Sequence, residues 1–280
     1  MIGQNRKPIS DINHIHPPWD QSPRGSSSMY EDRIKRIRKD IEKVAGYLWE
    51  KGWAERNGGN ISARIDIPEV IPEVVRSHDV ERLPEGSQGM DLLITGTDKR
   101  MRDIAEGEGL GLIRVREDLS GYDVLWSKDP EFKATSELIS HVKIHLDQEE
   151  KNKAVVHSHP TELIALSHHP DYGKVDSNLS GSLWSMMPEI KIFLPKGISL
   201  IPYTMTGSEK LADMTVEAFK DSDVVIWSKH GAVAVGSDPE DAFDKLDLAN
   251  KGADILLRCL SAGFDPEGIP ERDLEELEDI

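Results

Sequence analysis

Cysteine is nearly absent from this chain, which has one, Cys259, among its 280 residues. Structural zinc sites usually close their coordination shell with thiolates, so a site of that kind is excluded. Any bound metal must be held by nitrogen and oxygen ligands, and such a metal is more typical of catalysis than of structural support. A single cysteine also fits a cytoplasmic protein.

Long apolar runs and net positive charge are missing as well. No stretch of eighteen consecutive apolar residues occurs, and no leader-like pattern opens the chain, so neither a membrane span nor export is predicted. The formal net charge is −17. Nucleic acid and anionic membrane surfaces repel a protein of that charge, and neither is expected as a partner.

Composition divides the chain into three parts. Residues 1–28 are rich in proline, serine and other polar residues without periodicity, and they are predicted to be a disordered N-terminal extension. Residues 266–280 are predicted to be an acidic C-terminal tail, either solvated or forming a terminal helix. Residues 29–265 remain for one large domain, which is long enough to bury a substantial core.

Apolar periodicity predicts alternating helices and strands between these two ends. Helices are predicted at 30–53, 134–146, 161–168, 179–188, 208–220 and 239–262, and strands at 61–65, 91–95, 112–116, 122–126, 154–156, 192–194 and 198–202. Residues 224–236 read as two strands joined by a tight turn. The polar, proline-containing segment 66–89 allows no assignment.

Three histidines form the candidate metal site. His157 and His159 follow the β-forming run 154–156, and side chains two residues apart in a strand point to the same face. Pro160 then begins a helix, which places this pair at a strand end. His230 lies in the tight turn of the 224–236 hairpin. Three protein ligands with a fourth position open is the pattern of catalytic zinc.

Three polar stretches could bind an anion. The glycines of residues 57–60, Asn-Gly-Gly-Asn, allow backbone N–H groups to approach a ligand closely. The turn 96–100 contains a hydroxyl group and two cations. Thr135 and Ser136 are natural N-cap residues at a helix N-terminus, which attracts anions. For the first two stretches, a plain loop and a solvated hairpin turn remain open alternatives.

Glu137, in the first turn of the same predicted helix, has two interpretations. It could simply favour the helix dipole, or it could act as a general base or transient metal ligand because it precedes the His157 strand. His141 and His145 follow it at four-residue spacing on one helix face. They are interpreted as structural or supporting residues.

Four motifs in register resemble the class II aldolase/adducin family over residues 30–265. They are Lys51-Gly52-Trp53-Ala54-Glu55-Arg56-Asn57-Gly58-Gly59-Asn60, Thr135-Ser136-Glu137-Leu138, His157-Ser158-His159-Pro160 and Lys229-His230-Gly231. The first is the most discriminating, because relatives such as fuculose-phosphate aldolase have a shorter version of this loop. The resemblance implies an α/β, three-layer fold with a mostly antiparallel central sheet and helices on both faces. The short turns at 96–100, 117–121 and 229–231 agree with antiparallel pairing.

The resemblance also implies a role for each matching residue. His157, His159 and His230 are the expected ligands of one Zn²⁺ per subunit. Glu137 is the expected catalytic carboxylate, and Glu189 is a second carboxylate expected to reach the active site of a neighbouring subunit in a homotetramer. The expected phosphate-binding residues are Asn57, Gly59, Asn60, Thr97, Thr135 and Ser136. Asp98 departs from the family pattern, since an acid near a phosphate is unfavourable unless Lys99 or Arg100 compensates.

The activity that this resemblance implies is a reversible, metal-dependent retro-aldol cleavage. The expected substrate is L-rhamnulose 1-phosphate, and the expected products are dihydroxyacetone phosphate and L-lactaldehyde. One alternative is a sister enzyme of the same fold that acts on L-fuculose 1-phosphate or on L-ribulose 5-phosphate as a 4-epimerase. A more distant alternative is a non-catalytic scaffold similar to the adducin head, which would have no need of three histidines and Glu137.

Overall fold

The computed structural model describes residues 29–65, 74–175 and 177–279. The predicted N-terminal extension, residues 1–28, lies outside them. No helix in these three ranges is long and apolar enough to span a membrane.

A mixed sheet forms the centre of the molecule. Its strands are β1 (Asn60–Ile65), β2 (Arg76–Asp79), β3 (Asp91–Thr95), β4 (Leu110–Val115), β5 (Gly121–Ser127), β6 (Ala154–Ser158), β7 (Ile198–Ile201), β8 (Val224–Trp227) and β9 (Gly231–Gly236). They lie in the order β2-β5-β4-β3-β1-β6-β9-β8-β7. Every neighbouring pair is antiparallel except β7 and β8. The expected mostly antiparallel sheet is confirmed.

Helices cover both faces of this sheet. They are α1 (Met29–Glu50), α2 (Met101–Ala105), α3 (Leu138–Asp147), α4 (Thr161–Leu166), α5 (Leu179–Trp184), α6 (Pro188–Phe193), α7 (Glu209–Phe219), α8 (Pro239–Ser261) and α9 (Glu271–Glu275). The apolar face of β1, with Ile61, Ala63 and Ile65, packs in one core with α1 and α8. Alternate residues of β6, β8 and β9 face the other way and pack with α3 and α7. Strand alternation therefore separates the two layers.

Four local features of the structure differ from the sequence expectation. The predicted strand 192–194 is wrong, because residues 192 and 193 form the end of helix α6 and Leu194 is its C-cap. The start of this helix is favoured by Pro188 in the first turn and by the acidic Glu189. Strand β2, inside the unassigned segment 66–89, and helix α2, after the turn 96–100, were not predicted. Helix α3 begins at Leu138 instead of residue 134, because Thr135 N–H donates to the carbonyl oxygen of Thr95 and extends the sheet edge.

The acidic end of the chain forms helix α9 and a 3₁₀-helix, Glu276–Asp279. Leu274 is buried, and Ile269 N–H donates to the carbonyl oxygen of Ser185 over 2.8 Å. Of the two forms expected for this end, the structure has the helical one.

Candidate active site

Strand pairing brings the three histidines together. His157 is in β6, His159 follows the end of that strand, and His230 lies in the turn between β8 and β9. Because β6 pairs with β9, with Ser158 opposite Ala232, the turn before β9 lies beside the end of β6. One ring nitrogen from each of the three histidines lies within 4.8 Å of the others. The sequence-predicted cluster is therefore present in the folded chain.

Hydrogen bonds orient two of these rings. His157 Nδ1 lies 3.0 Å from the carbonyl oxygen of Ala232, which can only accept, so Nδ1 carries the proton and Nε2 keeps its lone pair. The Trp227 ring packs against the same imidazole, with centroids 4.3 Å apart. His159 Nδ1 lies 2.6 Å from Glu55 Oε1, which likewise leaves Nε2 of His159 available. Metal-binding histidines typically have a partner of this kind on their second nitrogen.

The donor set fits a divalent metal such as zinc. Burial, followed by repulsion from His230 and His159, holds the pKa of His157 well below its usual range. Burial also lowers the pKa of His230 to about 4. The cluster of His157, His159 and His230 contains no thiolate ligand. A low pKa keeps an imidazole neutral, and the neutral form is the one that binds metal. Within the described part of the chain, the buried Nδ1 of His230 has no hydrogen-bond partner.

Glu137 lies directly beside this cluster. It is the N-cap residue of α3, and its side chain is directed towards the histidines, with Oε2 3.7 Å from His157 Nε2. Asn60 Nδ2 donates to the same oxygen over 2.8 Å. Burial raises the pKa of Glu137, while the hydrogen bond from Asn60 and the charge of His159 act in the opposite direction. A buried carboxylate therefore faces the nitrogen through which His157 could bind a metal.

A cavity of about 370 Å³ contains these groups. Its lining includes every sequence-predicted site residue except Glu189: Asn57, Gly59, Asn60, Thr97, Thr135, Ser136, Glu137, His157, His159 and His230. Glu55, Arg56, Gly58, Gly96, Asp98 and Thr206 complete it. Ligand cavities for small molecules commonly fall in this range of volume.

A second, larger cavity, of about 820 Å³, shares Thr97, Thr135 and Ser136 with the first. Its lining contains neither Glu137 nor the three clustered histidines. The chemistry of the side chains, and not the size of the cavity, therefore identifies the smaller cavity as the candidate active site.

Close backbone approach explains two glycines of the site. A Cβ atom on Gly58 would lie 2.9 Å from His159 Nδ1, and one on Gly231 would lie 2.4 Å from the carbonyl oxygen of Ser158 and 2.8 Å from His157 Cε1. Real Cβ atoms do not approach other atoms so closely, so a side chain at either position would displace the histidines. Gly59 has a left-handed backbone, with φ of 80°, beside His157.

Backbone strain also concentrates around the cavity. Among the described residues, four other than glycine have positive φ, and three of them flank the site: Arg56 at 51°, Asp98 at 57° and Lys229 at 62°. Such conformations persist only where the surrounding structure holds them, and they are frequent at functional sites. Asp98 itself lines the cavity, where Asn57 Nδ2 lies 3.5 Å from its carboxylate.

The positive charge near Asp98 differs from the sequence expectation. Lys99 does not neutralise Asp98, because its Nζ lies 2.5 Å from Asp129 Oδ2. Among described lysines and arginines, only Arg56 lines the cavity. Sequence reasoning assigned no role to Arg56 or to Glu55, although both lie inside the most discriminating motif. The signal was present in their position between Trp53 and Asn57.

Two predicted roles need separate comment. Glu189 is exposed in the first turn of α6 and does not line the cavity of its own chain, so its role in a neighbouring subunit stays a prediction. The side-chain amide of Asn60 is engaged on both sides, by Glu137 and by His141. This arrangement favours a supporting role for Asn60, and its contact with phosphate also stays a prediction.

Comparison with known proteins agrees with these motifs. Residues 39–257 match the family described as class II aldolase and adducin N-terminal domain. A rhamnulose-1-phosphate aldolase of Bacteroides thetaiotaomicron is 40% identical over 269 residues, covering 89% of this chain and 96% of the relative. A protein of the same name from Enterococcus faecalis is 29% identical over 251 residues, covering 85% and 88%.

Solved structures agree as well. A sugar-phosphate aldolase from Thermotoga maritima superposes with a TM-score of 0.76 at 35% identity, covering 84% of this chain and all of that one. An L-fuculose 1-phosphate aldolase, 18% identical with a TM-score of 0.61, covers 87% of this chain and 95% of its own and supports the fold alone. The chain therefore belongs to the family of class II aldolases and adducin N-terminal domains, and within it is an enzyme of the aldolase, or lyase, type.

Proposed function

We propose that this aldolase reversibly cleaves L-rhamnulose 1-phosphate into dihydroxyacetone phosphate and L-lactaldehyde, as a step of rhamnose catabolism. The observation that carries the proposal is the position of Glu137, 3.7 Å from the free Nε2 of His157 in a cavity that also contains His159 and His230. The identity of the sugar is supported by the 40% identical relative, which is named a rhamnulose-1-phosphate aldolase.

His157, His159 and His230 would hold one Zn²⁺ per subunit. When bound, zinc supplies a Lewis acid that polarises the ketone and stabilises the negative charge that develops as the C3–C4 bond breaks. Three nitrogen ligands leave room for substrate oxygens, as in other catalytic zinc sites. The hydrogen bonds that His157 and His159 donate through Nδ1, to the carbonyl oxygen of Ala232 and the carboxylate of Glu55, keep Nε2 of each ring available to the metal.

Glu137 is the proposed carrier of the proton at C3. It is buried and lies on the side of the cavity that faces the histidines, so that a substrate held there would lie within its reach. The amide of Asn60 holds one of its oxygens and leaves the other free for the proton.

The phosphate would lie against the N-terminal end of α3. This ten-residue helix directs its N-terminal end, with Thr135 and Ser136, to the cavity, where the loop 57–60 and Thr97 lie opposite. Backbone N–H groups and the helix dipole favour an anion at such a place. Arg56 adds the cation that Lys99, paired with Asp129, does not provide.

We further propose that the enzyme is a cytoplasmic homotetramer with Glu189 completing the active site of a neighbouring subunit. Glu189 is exposed at the start of α6 and so is available for such a contact. The net charge of −17 argues against nucleic acid and anionic membranes as additional partners.

The test is the release of dihydroxyacetone phosphate from L-rhamnulose 1-phosphate, before and after metal removal by a chelator and after addition of Zn²⁺. We expect fast release that the chelator abolishes and that zinc restores. L-fuculose 1-phosphate and L-ribulose 5-phosphate serve as comparison substrates. Preference for either of these would favour a sister enzyme, and release that does not depend on metal would contradict the proposed role of the three histidines.

A further inference from the structure

A chain of buried hydrogen bonds runs from the last turn of α3 to Glu137. His145 Nε2 lies 2.8 Å from Ser62 Oγ, and Ser62 Oγ lies 2.6 Å from His141 Nδ1. His141 Nε2 lies 2.5 Å from Asn60 Oδ1, and Asn60 Nδ2 lies 2.8 Å from Glu137 Oε2. Each of the five residues is at most 7% exposed. Glu137 and Asn60 already have roles in the proposed chemistry, so Ser62, His141 and His145 need an explanation.

Two sequence periods place these side chains together. Asn60 and Ser62 alternate along β1 and point to the face opposite to Ile61 and Ala63, which lie in the other core. Glu137, His141 and His145 follow one another at four-residue spacing and so lie on one face of α3. The polar face of a strand is thereby packed against the polar face of a helix.

The direction of every hydrogen bond in this chain is determined by its end at Glu137. A carboxylate only accepts, so Asn60 presents its NH₂ group to Glu137 and its carbonyl oxygen to His141. His141 Nε2 must then carry a proton. A neutral imidazole has one N–H, so His141 Nδ1 accepts from the Ser62 hydroxyl group.

The hydrogen bond between His145 and Ser62 has the same direction. Since the Ser62 hydroxyl donates to His141, its oxygen accepts from the Nε2–H of His145. Both histidines are neutral: burial lowers the pKa of His141 to about 3 and holds that of His145 well below its usual range. The chain therefore donates in one direction only, from His145 towards Glu137.

We propose that His141 is a positioning residue for Glu137, and that Ser62 and His145 fix the tautomer in which it performs this role. Without the Nε2–H of His141, the amide of Asn60 could rotate and turn its oxygen towards the carboxylate, which would repel Glu137 from its place beside His157. This role rests on the proposed function of Glu137 as proton carrier. A merely structural role would affect stability without a selective effect on turnover.

The first test measures tautomers directly and needs no substrate. Two-bond ¹H–¹⁵N correlation spectra of the metal-loaded, ¹⁵N-histidine-labelled protein distinguish Nδ1–H from Nε2–H for each ring. We expect His141 and His145 both in the Nε2–H form. Finding His141 protonated on Nδ1, or on both nitrogens, would overturn the proposed direction of the chain, whatever the substrate of the enzyme.

The second test separates positioning from stability with three variants. His141→Leu removes the donor, His141→Gln retains an amide N–H that can reach Asn60, and Ser140→Ala changes a neighbouring buried residue whose hydroxyl has no hydrogen-bond partner in the described ranges. We expect His141→Leu to lower kcat by about 10–100-fold, with KM and zinc content close to those of the wild type. The kcat of His141→Gln should be close to that of the wild type, and the kcat of Ser140→Ala should be unchanged.

Two results would contradict the proposal. One is wild-type kcat in His141→Leu, and the other is an equal loss in His141→Leu and His141→Gln. If His141→Leu does not fold, Ser62→Ala takes its place and should give mixed His141 tautomers together with reduced kcat. An inactive wild-type enzyme with the expected tautomers would refute the proposed function of Glu137 and the catalytic purpose of the chain, but not its direction.

Discussion

Glu55 Oε1 lies 2.6 Å from Nδ1 of His159, a residue 104 positions later in the chain. The carboxylate holds the ring so that Nε2 points to His157 and His230. Glu55→Gln should keep the shape of the side chain but lose the negative charge that favours a bound cation, and zinc affinity should fall by about 10–100-fold. Competition with a chromophoric chelator measures this affinity. Glu106→Gln, at an exposed residue outside the cavity, should bind zinc as the wild type does; equal affinity in the two variants would contradict the role of Glu55.

Glu137→Gln should separate metal binding from turnover. The amide is nearly isosteric with the carboxylate and can still accept from Asn60, but it cannot carry a proton. We expect zinc content to stay at the wild-type level and kcat to fall by about 100–10,000-fold, the usual contribution of a general acid–base group. Metal analysis and the dihydroxyacetone phosphate assay check the two parts, and near-normal turnover in a zinc-loaded variant would refute the role.

Gly231→Ala should weaken the metal site through geometry alone. Its Cβ would lie 2.4 Å from the carbonyl oxygen of Ser158 and 2.8 Å from His157 Cε1, so the end of β6 must move. We expect weaker zinc binding, measured by calorimetric titration, and a lower melting temperature. Gly46→Ala is the control. Gly46 lies within helix α1, and its new Cβ atom would meet Ala105 of α2 at an ordinary distance of 3.7 Å. That variant should bind zinc normally and gain up to about 1 kcal/mol of stability.

His141 should make the folded state sensitive to acid. Its pKa is near 6.5 in an unfolded chain and about 3 in the folded protein. As pH falls below 6.5, the unfolded state takes up the proton first, so the free energy of unfolding decreases. Between about pH 7.5 and pH 5 this loss is about 2 kcal/mol. Urea unfolding of the wild type and of His141→Gln at both pH values, with chelator present throughout, isolates the contribution of His141. Equal losses in the two proteins would show that His141 does not remain neutral when folded.

Local patterns were sufficient to predict much of this site. The alternation of a strand placed His157 and His159 on one side, and the tight turn before β9 fixed His230 near a strand end. The order of the motifs then indicated the family, and with it the antiparallel sheet. These features depend on residues that lie close in sequence, where spacing and side-chain direction are directly related.

Relationships that depend on strand register were not predictable in the same way. Glu55 meets His159 only because β1 pairs with β6, with Asn60 opposite His157. The engagement of Asn60 by both Glu137 and His141 likewise requires α3 to pack on the face of β1 that contains Ser62. Residues 192–194 were assigned as a strand because three residues are too few to distinguish the two periods, and Pro188 and Glu189 decided in favour of a helix.

The left-handed conformations of Arg56, Asp98 and Lys229 lower the stability of the folded protein in a region that the activity needs. Each such conformation is disfavoured by about 1 kcal/mol or more for a residue with a side chain, and glycine would adopt it freely. Evolution towards greater thermal stability could therefore replace these three residues with glycine, but it would remove the guanidinium and carboxylate groups from the cavity and loosen the turn that holds His230. A thermostable descendant of this enzyme should accordingly gain its stability elsewhere in the chain and keep these three strained positions.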